Sequence, residues 1–461
     1  MARPQTKRKA DKARLAAVKV IHQVTEEQAF SNESAAFHLA SPGLDARDRA
    51  FASAILFGTL SRLPYIDYLL TRASSRPLAD LDPWIRAILR AGVWQLFFSY
   101  QATAAASCDE SVRLARFLSG ERATGFVNGI LRRLAREGQA PAGPHEAILE
   151  AGLPLALYDL LAGWYGGETA LALGQASLLA PAHAIIRPNG CRLDAFEAWL
   201  LTGQAESLRP ERAAWPPGAY TMTAGGRSLT ATDAYEAGLY SLQSQAAMTA
   251  GLVLYGSPED RYLDLCASPG GKTGHLAELA ACKASILACD LSAEKVETLR
   301  ANLTRLGHTF VQTRIHDAAA LEEDLTGSFD RVLCDVPCSG LGLLAKRPEI
   351  RSRVTRESID RLRGIQGRIL ASGARALAPG GRLLYSTCTI NPEENEEQIK
   401  DFLASEAGAS FELEDLTGEL LSLLGDSVHR PFSDRLPGTI LFLPHLHDTD
   451  GFFLARLRRM A

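Results

Sequence analysis

The stretch Leu263–Leu279, "LDLCASPGGKTGHLAEL", runs from an apolar strand through a glycine-rich turn into a helix, and its reading decides what surrounds it. A phosphate-binding P-loop would need its first glycine five positions before Gly271, where Cys266 stands, and the GxGxxG dinucleotide pattern is missing. What remains is a tight turn at the carboxyl end of a strand. There Gly270 and Gly271 let a ligand approach the backbone, and the following helix offers free N–H groups to a carboxylate or hydroxyl.

Working outward, the runs "RYLDLC" (261–266), "ASILAC" (284–289), "FVQTRI" (310–315), "RVLCD" (331–335) and "RLLYST" (382–387) alternate with helical segments. This alternation predicts βαβ crossovers and a parallel sheet from residue 241 onward. A helix is expected over 357–377, with Ile359, Leu362, Ile365, Ile369 and Leu370 on one stripe. The closing runs "GTILFLP" and "DGFFLARL" predict an antiparallel hairpin at the sheet edge, joined by a short polar turn. Asp290, Asp317 and Asp335 follow the second, third and fourth strands. Taken singly, each reads as a turn former or a helix cap. Asp290 also lies about 20 residues past the turn, the usual place for an acid that hydrogen-bonds ribose, and the set together favours a nucleoside-containing cofactor.

The rest of the chain sets the domain count. At 461 residues, about three domains are expected. Up to about residue 137, Ala, Leu and Arg abound with apolar residues at helical spacing, as in Val112, Leu114, Ala115 and Leu118. The break "EGQAPAGPHEA" (137–147) ends this all-α region. Residues 145–240 mix helix with short strands such as "AHAIIRPNG", giving a small α+β domain between 1–140 and 241–461. No signal peptide or apolar span is seen, so a cytoplasmic protein without membrane attachment is expected. A net charge of −4 argues against indiscriminate nucleic-acid binding, although six Lys/Arg fall in the first sixteen residues and "LRRLAR" (131–136) is basic. The plainer reading of both patches is a solubilising tail and a solvated helix face.

The eight cysteines form no CxxC pair and no Cys/His cluster at zinc spacing, so reduced thiols and no metal are expected. Two of them stand apart from the apolar runs: Cys338 in "DVPCSG" and Cys388 in "STCTINPEEN", each at a strand's carboxyl edge with polar neighbours. A lone strand cysteine is usually inert core; two at neighbouring strand ends are less easily dismissed. His275, His308, His316, His445 and His447 are read as mostly surface or cap residues.

At these residues the sequence resembles the RNA cytosine-5 methyltransferases that use S-adenosylmethionine. The matching stretches are "LDLCASPGGKT", "CDLSAEKVETLRANLTRLG", "DRVLCDVPCSGLG", "KRPEI", "LLYSTCTINPEENEEQI" and "DGFFLARL", in the family's order. In the first half, "FGTLSRLPYIDYLL", "DESVRLAR" and "GFVNGILRRLAR" resemble the NusB-like RNA-binding domain that precedes the catalytic part in 16S rRNA members, and "IIRPNG" resembles the R-x-N element of the intermediate domain. The resemblance implies a Rossmann-like class I methyltransferase domain behind an all-α NusB-like domain and a small α+β domain.

The resemblance also implies roles. Cytosine C5 is a poor nucleophile, so a thiolate must first add to C6, giving an enamine whose C5 accepts the methyl group; the C5 proton then leaves and the thiolate is expelled. The family's attacking thiolate maps onto Cys388, and its Pro-Cys cysteine, implicated in resolving the adduct, onto Cys338. Asp335 would hydrogen-bond the cytosine ring and lie near the cofactor. The loop Cys266, Ala267, Ser268, Pro269, Gly270, Gly271 and Lys272 would hold S-adenosylmethionine, with Asp290 on the ribose and Asp317 on the adenine side. The partner would be RNA, by the NusB-like domain 16S rRNA, and the protein a monomer. Ser244 stands where the family often has an acid, and Glu349 where it usually has Asp. Alternatives are the same chemistry on 23S rRNA or tRNA, a non-catalytic RNA-binding assembly factor, and DNA methylation, the last disfavoured by the Thr-Cys motif.

Overall fold

The computed structural model describes residues 10–100, 102–139, 143–179, 183–223, 228–424 and 431–461. The basic N-terminal stretch up to Lys9 and the centre of the 137–147 break lie outside them. The chain forms two compact units, Met1–Ala180 with Leu344–Arg353, and Pro181–Leu343 with Val354–Ala461.

The first unit is helical throughout its described residues. Helices Lys12–Glu26, Ala46–Ser61, Leu63–Ala73, Pro83–Phe97, Ala104–Ser119 and Glu121–Glu137 enclose a core that includes Val18, Ile21, Ile55, Leu56, Ile66, Leu69, Ile88 and Leu131. Four of these starts are set by side chains that satisfy free backbone donors: Asp11 accepts from Arg14 N, Asp45 from Asp48 N, Asp82 from Ile85 N and Thr103 from Ala106 N. The "KRPEI" segment belongs to this unit. Glu349 is buried and accepts from Ser31 N (3.1 Å) and Oγ (2.7 Å) at the start of helix Ser31–Leu39, which has no side-chain cap of its own. Buried Arg351 donates to Leu344 O (2.8 Å) and to Ser177 Oγ (2.6 Å).

The second unit holds two sheets. Strands β1 (Ala184–Pro188), β2 (Glu211–Arg212), β3 (Tyr220–Met222) and β4 (Tyr240–Leu242) form a small antiparallel sheet in the order β2-β3-β1-β4. It packs around Ile186, Phe196, Trp199, Tyr220, Met222 and Tyr240. The large sheet contains β5 (Arg261–Asp264), β6 (Ser285–Asp290), β7 (Gln312–Ile315), β8 (Phe329–Asp335), β9 (Leu377–Thr387), β10 (Phe411–Leu413), β11 (Ile440–Phe442) and β12 (Phe452–Arg459). Its order is β10-β12-β9-β8-β5-β6-β7, with β11 also paired to β12. The five predicted strands are present and parallel to one another. The chain runs outward from β5 to β6 and β7 and then crosses to β8 on the other side of β5. The carboxyl ends of β5 and β8 therefore flank a switch point, where open α/β sheets bind ligands.

The predicted long helix spans Arg356–Ala376 and buries Ile359, Ile369 and Leu370. The closing hairpin is antiparallel and lies at the sheet edge, with β11 as its outer strand, but its connection differs from the expectation. Its connection contains a short helix, Pro444–His447, because Pro444 supplies the φ of a first helical turn. Its strand β12 pairs with β9 on one side and with β10 and β11 on the other. The strand β10 escaped sequence reading because three residues carry no period.

Candidate active site

The turn after β5 is held from both sides. Asp264, buried at the end of the strand, accepts from Thr273 Oγ1 (2.7 Å) in the helix that begins at Gly271. Burial, opposed by the Thr273 hydrogen bond, pushes its carboxyl up to about 7. Ala267 N donates to Cys289 O (2.8 Å), and Ser268 N donates to Asp290 Oδ2 (3.0 Å). Gly270 has φ +102°, a conformation that favours glycine, and a Cβ there would meet Leu299. A Cβ on Gly271 would meet nothing within 4 Å, so the face expected to receive a ligand is open. Cys266 lies in the turn with its thiol pushed well up by burial. Asp290 also accepts from Leu291 N (2.8 Å) and pairs with Lys295 (3.2 Å). Asp317 is exposed beyond β7, and its Oδ1 accepts from Ala319 N (3.0 Å).

Across the switch point, Lys272 Nζ donates to Asp335 Oδ2 (2.6 Å), and Ser386 Oγ to Asp335 Oδ1 (2.7 Å). Burial opposes the charge on Lys272, but Asp335, Cys388 and Asp264 around it hold its ammonium above the ordinary value. The ammonium also lies 4.9 Å from the Phe452 ring.

Cys338 and Cys388, fifty residues apart in sequence, meet with their sulfurs 3.4 Å apart. The two loops are stitched by Val336 N to Ser386 O (3.1 Å) and Gly342 N to Cys388 O (3.0 Å). Beneath the Pro-Cys loop lies Glu394, fully buried, which accepts from Ser339 N (2.8 Å), Ser339 Oγ, Gln366 Nε2 (2.9 Å) and Asn391 Nδ2 (2.9 Å). The electrostatics of the two thiols differ. Cys388 lies near the Lys272 cation, whereas Cys338 is raised well above the usual thiol range by its hydrogen bond to Cys388, by burial and by Glu394. The lysine beside Cys388 favours negative charge there, and the carboxylate beside Cys338 disfavours it.

The structure thus brings together the loop 266–272, Asp290, Asp335, Cys338 and Cys388, and leaves Asp317 on an exposed flank. Asp264, Ser386, Glu394 and Arg187 were not singled out in the sequence. Arg187 of β1 is the arginine of the R-x-N element; it donates to Gly271 O (2.9 Å) and binds both oxygens of Glu278 (2.8 and 2.9 Å). Two expectations are corrected. His275, His308, His316 and His447 are buried rather than at the surface, although His447 does accept from a backbone N–H, that of Leu443. Cys191 and Cys282 form a disulfide, a pairing invisible to spacing because 91 residues separate them.

Known proteins bear on this arrangement. Residues 251–458 match the family described as 16S rRNA methyltransferase RsmB/F, and residues 11–136 match the NusB family. A Bacillus subtilis protein named "Probable ribosomal RNA small subunit methyltransferase B" is 30% identical over 449 residues, 96% of this chain and 98% of the relative. The chain belongs to the RsmB/F family of 16S rRNA methyltransferases. A second RsmB/F relative, ribosomal RNA small subunit methyltransferase B of Pseudomonas syringae, is 30% identical over 460 residues, 97% of each chain. The crystal structure of PH0851 superposes on 97% of this chain and 98% of its own, with a TM-score of 0.80 and 26% identity. Like other members of RsmB/F, the protein is an RNA methyltransferase, with a NusB domain ahead of its Rossmann-like catalytic domain. Among the described residues no helix is long and apolar enough to cross a membrane.

Proposed function

We propose that the protein methylates C5 of a specific cytosine in 16S rRNA, through a covalent adduct between Cys388 and C6 of the base. The observation that carries this reading is the 3.4 Å contact of two thiols in unlike electrostatic surroundings, one near a lysine and the other near a carboxylate. S-adenosylmethionine, when bound, supplies an electrophilic methyl group. The open Gly271 face, the backbone of 266–272 and the Asp290 carboxylate suit its amino-acid and ribose ends, and Asp317 is assigned to the adenine side.

In the proposed sequence, Cys388 adds as thiolate to C6, its electron pair forming the S–C6 bond, while the C5=C6 pair shifts to C4–C5 and the C4=N3 pair to a protonated N3, leaving an enamine with a nucleophilic C5. Asp335, tethered by Lys272 and Ser386, hydrogen-bonds the ring and favours attack by keeping N3 protonated. C5 takes the methyl group, and its proton is then lost to a base. The electrons of that C–H bond rebuild C5=C6 and expel the Cys388 sulfur. Cys338, which keeps its proton, donates a hydrogen bond to the departing sulfur and restores the thiol–thiolate pair. If the target lies in structured RNA, the base must leave its stack at a cost of a few kcal/mol.

The test is transfer of labelled methyl groups from S-adenosylmethionine to unmodified 16S rRNA, 23S rRNA and tRNA, followed by nucleoside analysis. Labelled 5-methylcytidine from 16S rRNA alone is expected. Label in another RNA, or at another atom, would overturn the specificity or the chemistry respectively.

A further inference from the structure

Away from the thiol pair of the active site, Cys191, Cys282 and His308 bring three soft donor atoms within 4.8 Å of one another. Cys191 follows β1 in the small sheet, Cys282 lies just beyond the helix Gly271–Leu279, and His308 follows the helix Ala293–Leu306. The histidine is fully buried, and its orientation is fixed. Its Nε2 faces Glu278 Oε1 at 3.3 Å, and that carboxylate is itself gripped through both oxygens by Arg187. A carboxylate held by an arginine only accepts, so Nε2 carries the ring proton. Nδ1 faces Cys282 Sγ 3.8 Å away.

That is the arrangement in which metal-binding imidazoles are found: one nitrogen on the metal, the other donating to a carboxylate that sets the tautomer. Zinc bonds of roughly 2.3 Å to sulfur and 2.0–2.1 Å to nitrogen put neighbouring tetrahedral ligands about 3.6–3.8 Å apart. The Nδ1 to Sγ separation already has this value. The Cα atoms of the two cysteines are 6.5 Å apart, so separating the sulfurs to that spacing is a matter of side-chain rotation. Cys191 is exposed, which leaves the fourth position to solvent.

We propose that reduction of the Cys191–Cys282 bond opens a site for one thiophilic divalent cation of the zinc class, held by Cys191 Sγ, Cys282 Sγ and His308 Nδ1. A dithiol reductant supplies two electrons and two protons and is itself oxidised to a disulfide. The cation then displaces the two thiol protons to solvent as it binds. An occupied site ties the loop after β1 to the helix that begins at the cofactor turn.

The test uses the full chain carrying Cys338→Ser and Cys388→Ser, so that the active-site thiols supply no competing ligands. Reduced with a dithiol and freed of it, this protein is titrated with cobalt(II), and the cobalt is then displaced by zinc(II). One equivalent of cobalt with a near-ultraviolet thiolate band is expected, displaced by one equivalent of zinc. Adding Cys191→Ser, at an exposed position where the circular dichroism should stay unchanged, should weaken binding at least tenfold and halve the thiolate band. Before reduction no binding is expected. The proposal is overturned if the reduced protein binds no more tightly than its Cys191→Ser/Cys282→Ser derivative, or if both thiols stay open to alkylation at saturating zinc.

Discussion

Cys338 Sγ and Cys388 Sγ lie 3.4 Å apart, beyond the ends of the adjacent parallel strands β8 and β9. Two thiols at this distance share a proton, and their neighbours decide which sulfur is the anion. The Lys272 ammonium lies on the Cys388 side and the Glu394 carboxylate on the Cys338 side, and the proposed mechanism accordingly takes Cys388 as the thiolate.

Lys272→Met should therefore make Cys388 a poorer nucleophile even with no RNA or cofactor present. In a Cys338→Ser background, alkylation of Cys388 should move to higher pH when Lys272 is replaced. Methyl transfer by the single variant should fall by about a hundredfold or more, as expected when an electrostatic contact in a water-poor site is removed. An unchanged alkylation profile would show that the cation does not reach the sulfur.

Glu394 receives four hydrogen bonds that fix the Pro-Cys loop. Glu394→Gln keeps the shape but turns acceptors into a donor facing other donors. Turnover should drop about 10- to 100-fold, the scale of a misplacement near 1 Å. The dissociation constant for S-adenosylmethionine, measured by calorimetry, should stay within about twofold. A loss confined to cofactor binding would contradict the positioning role.

The pH dependence of stability should contain two opposed contributions. Asp264, raised to about 7 from an ordinary value near 4, keeps its proton in the folded state where the unfolded chain has lost it. Its contribution is complete below about pH 4 and is lost as pH rises to about 7. Burial, reinforced by Arg187, lowers His275 to about 3, so the unfolded chain binds the extra proton and stability is lost as pH falls from about 6.5. Each slope is about 1.4 kcal/mol per pH unit, with opposite sign, and they cancel between about pH 4 and 6.5. Asp264→Asn should expose a loss of stability on acidification, and His275→Gln a gain. Urea unfolding at several pH values checks both.

The buried Arg187–Glu278 pair should behave as a unit. Burial alone would raise Glu278, yet Arg187 and His308 hold it at about 2, so its contribution is present above about pH 4.5 and is lost as the pH approaches 2. Glu278→Gln at neutral pH strands the arginine charge and should cost roughly 3–5 kcal/mol in denaturant unfolding. A cost below 1 kcal/mol would mean that water reaches the arginine.

Much of this fold could be read from the chain because its central strands are apolar runs punctuated by glycine and aspartate. "LDLCASPGGKT" showed a strand, a turn and a helix before any contact was known. What could not be read depends on distance in sequence. The Cys191–Cys282 bond, the Glu278–His308 contact and the Arg187 bond to Gly271 join segments that only the topology brings together. Glu349 looked like a mild departure in a loop, and the structure uses it as the buried cap of a helix more than three hundred residues earlier. Glu394 lay within a motif already singled out for Cys388, but its neighbours Pro392, Glu393 and Asn395 gave no sign of which side chain turned inward.

The central claim, that Cys388 attacks and Cys338 releases, is tested most directly by a denaturing gel of labelled 16S rRNA incubated with S-adenosylmethionine and each alanine variant. The account predicts that Cys338→Ala traps a covalent protein–RNA complex bearing the transferred methyl group, while Cys388→Ala gives neither complex nor methylated product. A complex formed by Cys388→Ala and absent from Cys338→Ala would contradict it, and would make Cys338 the nucleophile.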